Sequence, residues 1–168
     1  MDKMFNGCSS LQSIDLSNFN TALVANMENM FYQCSQLQLI DLSNFDTSNA
    51  VNMNNMFYQC SQLQSLNLSN FNTPLLQQSD SMFYGCNNLQ SIILSNFKSS
   101  KITKMNNMFK GCTSLKFLDI SSYDTDMTSN ISSIFDGIIN LEFINIYNTT
   151  LSSHLAEEIQ SAFNNKNN

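Results

Sequence analysis

Charge is scarce in this chain. Of 168 residues, 12% are Asp, Glu, Lys or Arg, about half the usual share. The balance is acidic, with seven basic against thirteen acidic residues and a net charge of -6. A phosphate backbone demands a basic footprint, so nucleic acid is excluded as a partner. An anionic membrane surface is excluded on the same ground. There is no Trp, one Pro, four Gly and one His. So few glycines leave no Gly-rich loop to cradle a phosphate. No apolar run approaches the roughly 20 residues of a membrane span. The opening "MDKMFNGCSSLQSIDL" has no basic region followed by an apolar one, as a signal peptide would. It does begin inside the chain's own pattern, as a piece of a secreted protein would.

What the chain has instead is repetition. "MENMFYQCSQLQLIDLSNFDTS" at 27–48 returns almost unchanged as "MNNMFYQCSQLQSLNLSNFNTP" at 53–74. Met4, Met30, Met56, Met82 and Met108, each followed by Phe, advance by 26, and Ile134-Phe135 continues the step. Cys8, Cys34, Cys60, Cys86 and Cys112 keep the same step, with Ile138 in the sixth place. So do Leu11, Leu37, Leu63, Leu89, Leu115 and Leu141. Two further apolar columns start at Ile14 and Leu16, and Phe19, Phe45, Phe71 and Phe97 close the unit, with Tyr123 conservative. Six units of 26 residues occupy 1–151, the last degenerate.

Each unit carries two periodicities. Met27, Met30, Phe31 and Cys34 stand at i, i+3, i+4 and i+7, one face of a short helix. "LQLIDLSNF" then alternates as a strand does, and turn formers follow. No unit covers its own apolar side chains, whereas stacked neighbours do. The expected fold is an α/β solenoid, to which each unit contributes a short helix, a short strand and a turn. Residues 152–168 read as a capping helix and a frayed tail, with an N-cap serine, Leu155, Ile159, Ala162 and Phe163 on one face, and Glu157 and Glu158 early enough to favour the helix dipole.

"LQLIDLSNF" fits the leucine-rich-repeat pattern L-x-x-L-x-L-x-x-N, with Phe45 at the Asn position. The whole unit, as in "MFNGCSSLQSIDLSNFNTA", resembles the BspA-type repeat of bacterial and protist surface proteins. That resemblance implies a leucine-rich-repeat array with a parallel β-sheet lining one curved face and short helices on the other, and a role in adhesion or partner binding, at the cell surface or after secretion. An intracellular scaffold or a structural spacer on the same array is the alternative. No nucleophile is paired with a base in the repeat, so no enzyme is expected.

Most repeated residues read as architecture. The Met and Phe columns are core. The spacing of the cysteines and the lone His154 argue against zinc. On packed helices ~8–10 Å apart the cysteines would be too distant to pair, so they are expected as buried free thiols. The Asn column from Asn18 to Asn148 (with Ser122 the exception) and the Thr column including Thr125 are expected to satisfy turn backbone. Asp15 and Asp41 stack one repeat apart, where carboxylates hold calcium or stay solvated. Asn67 and Ile93 interrupt that column, so no metal and no cofactor is expected.

Function is sought in what varies. Outward strand positions are small and polar in early units. Leu39 stands out there, and Ile93, Phe117, Phe143 and Tyr147 appear later, alongside Asp15, Asp41 and Asp119. The late side chains form either a partner-binding patch or core beneath the terminal helix. The partner would be a protein or a glycan. The chain itself would be a monomer or part of a longer array.

Overall fold

The computed structural model describes residues 1–97, 101–121 and 130–164. Ser122, Tyr123, Thr125 and the tail from residue 165 lie outside the described residues.

The second half of each unit forms the sheet. Strands β1 (Leu66–Asn67), β2 (Ser91–Ile93), β3 (Phe117–Asp119) and β4 (Phe143–Asn145) pair in parallel, in the order β1-β2-β3-β4. Leu66 faces Ile92, Ile92 faces Leu118, and Leu118 faces Ile144, so the register is one repeat throughout. The earlier units continue the ladder more loosely, with Gln38 N donating to Gln12 O at 3.2 Å. The central residue of each triplet points inward, and its neighbours point out.

The Met-x-x-Met-Phe segments are not helices. Among the described residues the only α-helix is α1 (Ser153–Asn164). In the second unit, the N–H groups of Met27, Asn29, Phe31 and Gln33 donate to the carbonyls of Asn52, Asn54, Met56 and Tyr58, at 2.7–2.9 Å. The alternate N–H groups of Met30, Tyr32 and Cys34 close turns on the residue three back, at 3.1–3.3 Å. Each segment is therefore a run of turns, and every second N–H is handed to the next repeat. Left-handed residues make this possible: Asn29 and Gln33 have φ of 55° and 57°, Asn55 and Gln59 of 55° and 54°. Asn, and Gly at position 111 (φ 76°), are among the residues that enter this region most readily.

There is a physical reason for the substitution. A helix of about eight residues is marginal by itself. Packed helices also sit ~8–10 Å apart, against ~4.8 Å for paired strands. Hydrogen-bonding both faces from repeat to repeat gives them one common rise. The turns keep residues three and four apart on one side, so Met27, Met30, Phe31 and Cys34 are all buried, as a helix would also have placed them.

Identical residues now stack. Phe5, Phe31, Phe57, Phe83, Phe109 and Phe135 form one column, with successive ring centroids 5.3–5.9 Å apart. Phe45, Phe71 and Phe97 form another. Offset stacking of this kind adds ~0.5–1.5 kcal/mol per pair beyond area burial. Polar columns repeat their bonds likewise. Asn44 Nδ2 donates to Ser17 O at 3.0 Å and Asn70 Nδ2 to Ser43 O at 3.1 Å. Thr21 Oγ1 donates to Asp46 O at 2.9 Å.

The thiols also have partners. Sγ of Cys34, Cys60, Cys86 and Cys112 each donates to the carbonyl of Phe5, Phe31, Phe57 and Phe83 respectively, at 3.1 Å. These four cysteines are buried and unbridged, while Cys8 is exposed. The geometry that keeps them apart is thus a hydrogen bond to the preceding repeat, not helix packing. Burial pushes the Cys34 thiol up to about 11 and the Cys112 thiol up to about 12, and raises Cys60 and Cys86 as well.

At the C-terminal end α1 takes over the donor ladder. Ser133 stands where Asn29, Asn55 and Asn107 donate to the next repeat, and its N–H donates instead to Glu158 Oε1 at 3.1 Å. Leu155 and Ala162 of α1 are buried. Ser152 Oγ accepts from Leu155 N at 3.3 Å, capping the helix. Glu157 and Glu158 fall beyond the first turn, so the role of Glu158 is this bond rather than a dipole contact.

Two outcomes test the stack. Phe71 is fully buried between Phe45 and Phe97, so Phe71→Ala should cost ~3–5 kcal/mol in denaturant unfolding. Phe19, half-buried in the first unit, should cost less on the same change, and equal losses would contradict the stack. Native thiol titration near neutral pH should show one fast group, Cys8, and four slow ones. Several fast groups would mean that the thiol column is open.

Candidate binding surface

The strand face bears the residues that vary. Its middle column is Asp15, Asp41, Asn67, Ile93, Asp119 and Asn145. Five of the six hold their own turn. Asp15 Oδ1 accepts from Ser17 N at 2.9 Å, Asp41 Oδ1 from Ser43 N at 2.9 Å, and Asp119 Oδ1 from Ser121 N at 2.8 Å. Asn67 and Asn145 make the same bond to residues 69 and 147. Each is an Asx turn that ends the strand. The acids proposed from sequence as ligand contacts therefore have local structural work as well. Hydrogen bonds from Ser17 and Ser43 hold the Asp15 and Asp41 carboxyls below the usual carboxylate range.

Ile93 makes no such turn, and it sits beside the aromatic cluster. Phe117 pairs with Ser91 in register and Phe143 with Phe117. The Phe117 and Phe143 rings stack at 5.4 Å and 7°. Phe143 is 53% exposed, Tyr147 80% and Ile93 39%, and Phe117 is half-buried. The terminal helix leaves these side chains open to solvent. Ile93, Phe117, Phe143 and Tyr147 thus lie on one face across the fourth to sixth repeats, the two Phe rings in contact and Asp119 and Asn145 between them and the other two. Leu39 is exposed too, but the Ser65 and Ser91 rungs separate it from Phe117. Asp15 and Asp41 lie at the other end of the face. Lys116 and Glu142 flank the patch as an exposed pair at 4.0 Å.

A second surface was not anticipated from sequence. Tyr32, Tyr58 and Tyr84 stack with centroids 4.7 and 4.6 Å apart on the side of the Met segments. Position 110 then carries Lys, and Lys110 Nζ pairs with Asp136 Oδ2 at 3.2 Å. Next to this column runs Gly7, Gln33, Gln59, Gly85, Gly111 and Gly137. Where Gln gives way to Gly, a groove of about 500 Å³ opens. Both columns keep the 26-residue step, which is the signal that would have shown them.

Among the described residues, no three of His, Cys, Asp and Glu converge to hold a metal ion. No described helix is long and apolar enough to cross a membrane.

The fold and surfaces define a repeat protein, in which identical units hydrogen-bond in parallel register. The chain belongs to the family described as Mycoplasma protein of unknown function, DUF285, whose model matches residues 1–93 and again 60–168. The two matches overlap, as a family model does when it slides along a repeat. Among curated proteins none matches the chain, and among solved structures none does.

The Asx turns have a pH consequence. The folded pKa of Asp15 and Asp41 lies below that of the unfolded chain. These groups stabilise the fold above the unfolded value of ~3.9, and that contribution is lost as pH falls through the lower folded value. Carboxyl NMR titration should show both below the ordinary aspartate value. Asp41→Asn, which copies Asn67, should remove its share of the acid dependence while keeping the turn. A carboxyl that titrates at the ordinary value would contradict the bond.

Proposed function

We propose that the chain is a non-enzymatic binding module, a BspA-type leucine-rich-repeat solenoid that engages a protein ligand through the strand face. The observation that supports this reading is the patch of Ile93, Phe117, Phe143 and Tyr147. It is the place on an otherwise Ser- and Asn-rich face where large apolar side chains cluster in the open. Aromatic side chains on a rigid frame lose little conformational freedom on binding and dominate hot spots. The paired Lys116 and Glu142 give the patch a polar rim.

Repetition also supports a binding role over a catalytic one. A repeated polar column offers the same group at every step, whereas an active site needs different groups converging on one point. By the resemblance to BspA-type proteins, the module belongs at the cell surface or outside the cell, in adhesion or host-ligand contact. An intracellular scaffold on the same array is the alternative. The five unbridged thiols favour it, since reducing compartments keep cysteines free.

The test is a binding screen against extracellular-matrix proteins and glycans, repeated with Phe143→Ala and Tyr147→Ala. Loss of a hot-spot ring should weaken binding by ~2 kcal/mol or more. Both residues are exposed, so stability should change by only about 1 kcal/mol or less. Undiminished binding by the double variant would overturn the assignment of the face.

A further inference from the structure

Repeated residues maintain the array, so a place where neighbouring columns change together is informative. On the side of the Met segments three columns change within two rungs. The Tyr stack ends at Tyr84 and is followed by Lys110 and Asp136. The Gln column becomes Gly85, Gly111 and Gly137. The serines at 35 and 61 give way to Asn87. The result is the groove of about 500 Å³, within the ~300–1,000 Å³ of small-molecule sites.

Its construction is specific. The floor is glycine backbone. A Cβ at Gly111 would meet nothing nearer than Gly85 Cα at 3.6 Å, and one at Gly137 nothing nearer than Gly111 atoms at 3.6 Å. Gln59 closes one end, since its Cγ lies 3.2 Å from a Cβ built on Gly85. Gln33 Nε2 holds Gln59 Oε1 at 3.0 Å. One wall is Tyr84, Lys110 and Asp136, and the other includes Ser61 and Asn87. One face of the Tyr84 ring is stacked on Tyr58, and the column offers its other face no ring.

The geometry points to a neutral, hexose-sized sugar residue as the occupant. The lining charges are one cation and one anion, already paired at 3.2 Å, so a free anion or cation would meet a like charge. An apolar ligand would strip water from Lys110 and Asp136 without replacing their bonds, while the Asn87 amide is already held by the Gly85 and Gly111 carbonyls. A sugar supplies vicinal hydroxyls that both donate and accept, matching an ammonium beside a carboxylate. Tyr84, stacked on Tyr58 and followed by Lys110 in its column, adds an aromatic rim beside these polar groups. The site lies away from the strand-face patch, and its failure would leave that reading intact.

The fold supplies its own control. Gln33 and Gln59 occupy this column at φ of 57° and 54°, so the array accommodates Gln there. Gly111→Gln with Gly137→Gln extends the Gln column and fills the groove. The probes are the methyl α- and β-glycosides of glucose, galactose, mannose and N-acetylglucosamine, with inorganic phosphate as the charged control. Amide NMR reads the answer directly, because three of the four glycines line the groove and Gly7 serves as the reference. At least one glycoside should shift Gly85, Gly111 and Gly137 but not Gly7. The double Gln variant should weaken its binding about tenfold or more. Asp136→Ala, at a half-exposed position, should weaken it comparably should the Gln variant not fold. The inference is overturned by unmoved groove glycines at up to about 50 mM of every glycoside, beyond the millimolar range of weak sites. It is also overturned by undiminished binding in the variants, or by shifts with phosphate alone.

Discussion

The structure depends on one hydrogen bond repeated at a fixed step, the N–H of every second residue in the Met segment donating to a carbonyl of the next unit. Met27 to Asn52 and Asn29 to Asn54 are followed one repeat later by Met53 to Gln78 and Asn55 to Asp80. This ladder brings both faces of the array to the spacing of paired strands. Once the rise is set, identical side chains fall one above another. Phe stacks on Phe, Tyr on Tyr, and each buried thiol meets the same carbonyl. The ladder also has a direction, and its last donors need an acceptor that is not another repeat. Glu158 of the terminal helix provides it for Ser133.

The columns differ in how strictly they need their residue. At the Cys position, Ile138 is buried like Cys34, Cys60, Cys86 and Cys112, so the volume tolerates substitution. The thiol bond to the preceding repeat is lost there, and α1 closes that end instead. The Asx column accepts Asp or Asn because either carbonyl oxygen serves the turn. Ile93 cannot serve it, and stands in the column where the apolar patch begins.

Two surfaces thus emerge from departures within a regular frame. On the strand face the departures are additions, with rings placed over a polar sheet. On the Met side they are deletions, with Gln side chains removed to leave backbone bare beside a charged pair and a tyrosine. Both occur in the C-terminal half of the array. The early repeats, with serines and Asx turns on the strand face, bear neither. The family model slides along the repeats without distinguishing these regions, because it is built on what recurs.

Much of this was legible in sequence. The 26-residue step, the buried Met, Phe, Cys and Leu columns, and the inward Ile92 and outward Ile93 follow from apolar spacing alone, and the parallel sheet from the resemblance to leucine-rich repeats. That spacing could not decide the backbone of the Met segment. Residues at i, i+3, i+4 and i+7 lie on one side of an α-helix and equally on one side of successive turns. The choice was made by where the N–H groups go, four residues back or across to the next repeat, and that depends on a neighbour existing at strand distance. Asn29, Asn55 and Asn107, with Gly85, Gly111 and Gly137, were the local sign of it, whereas Gln33, Gln59 and Ser81 take the same left-handed conformation without announcing it. Exposure of Phe143 and Tyr147, the stacking of Tyr32, Tyr58 and Tyr84, and the groove over Gly111 were likewise tertiary decisions. Composition and periodicity by themselves determined that units would stack and which side chains would be inside. Only the stacked structure decided the path of the backbone between them and which outward residues meet, because those depend on contacts between residues 26 apart rather than on order along the chain.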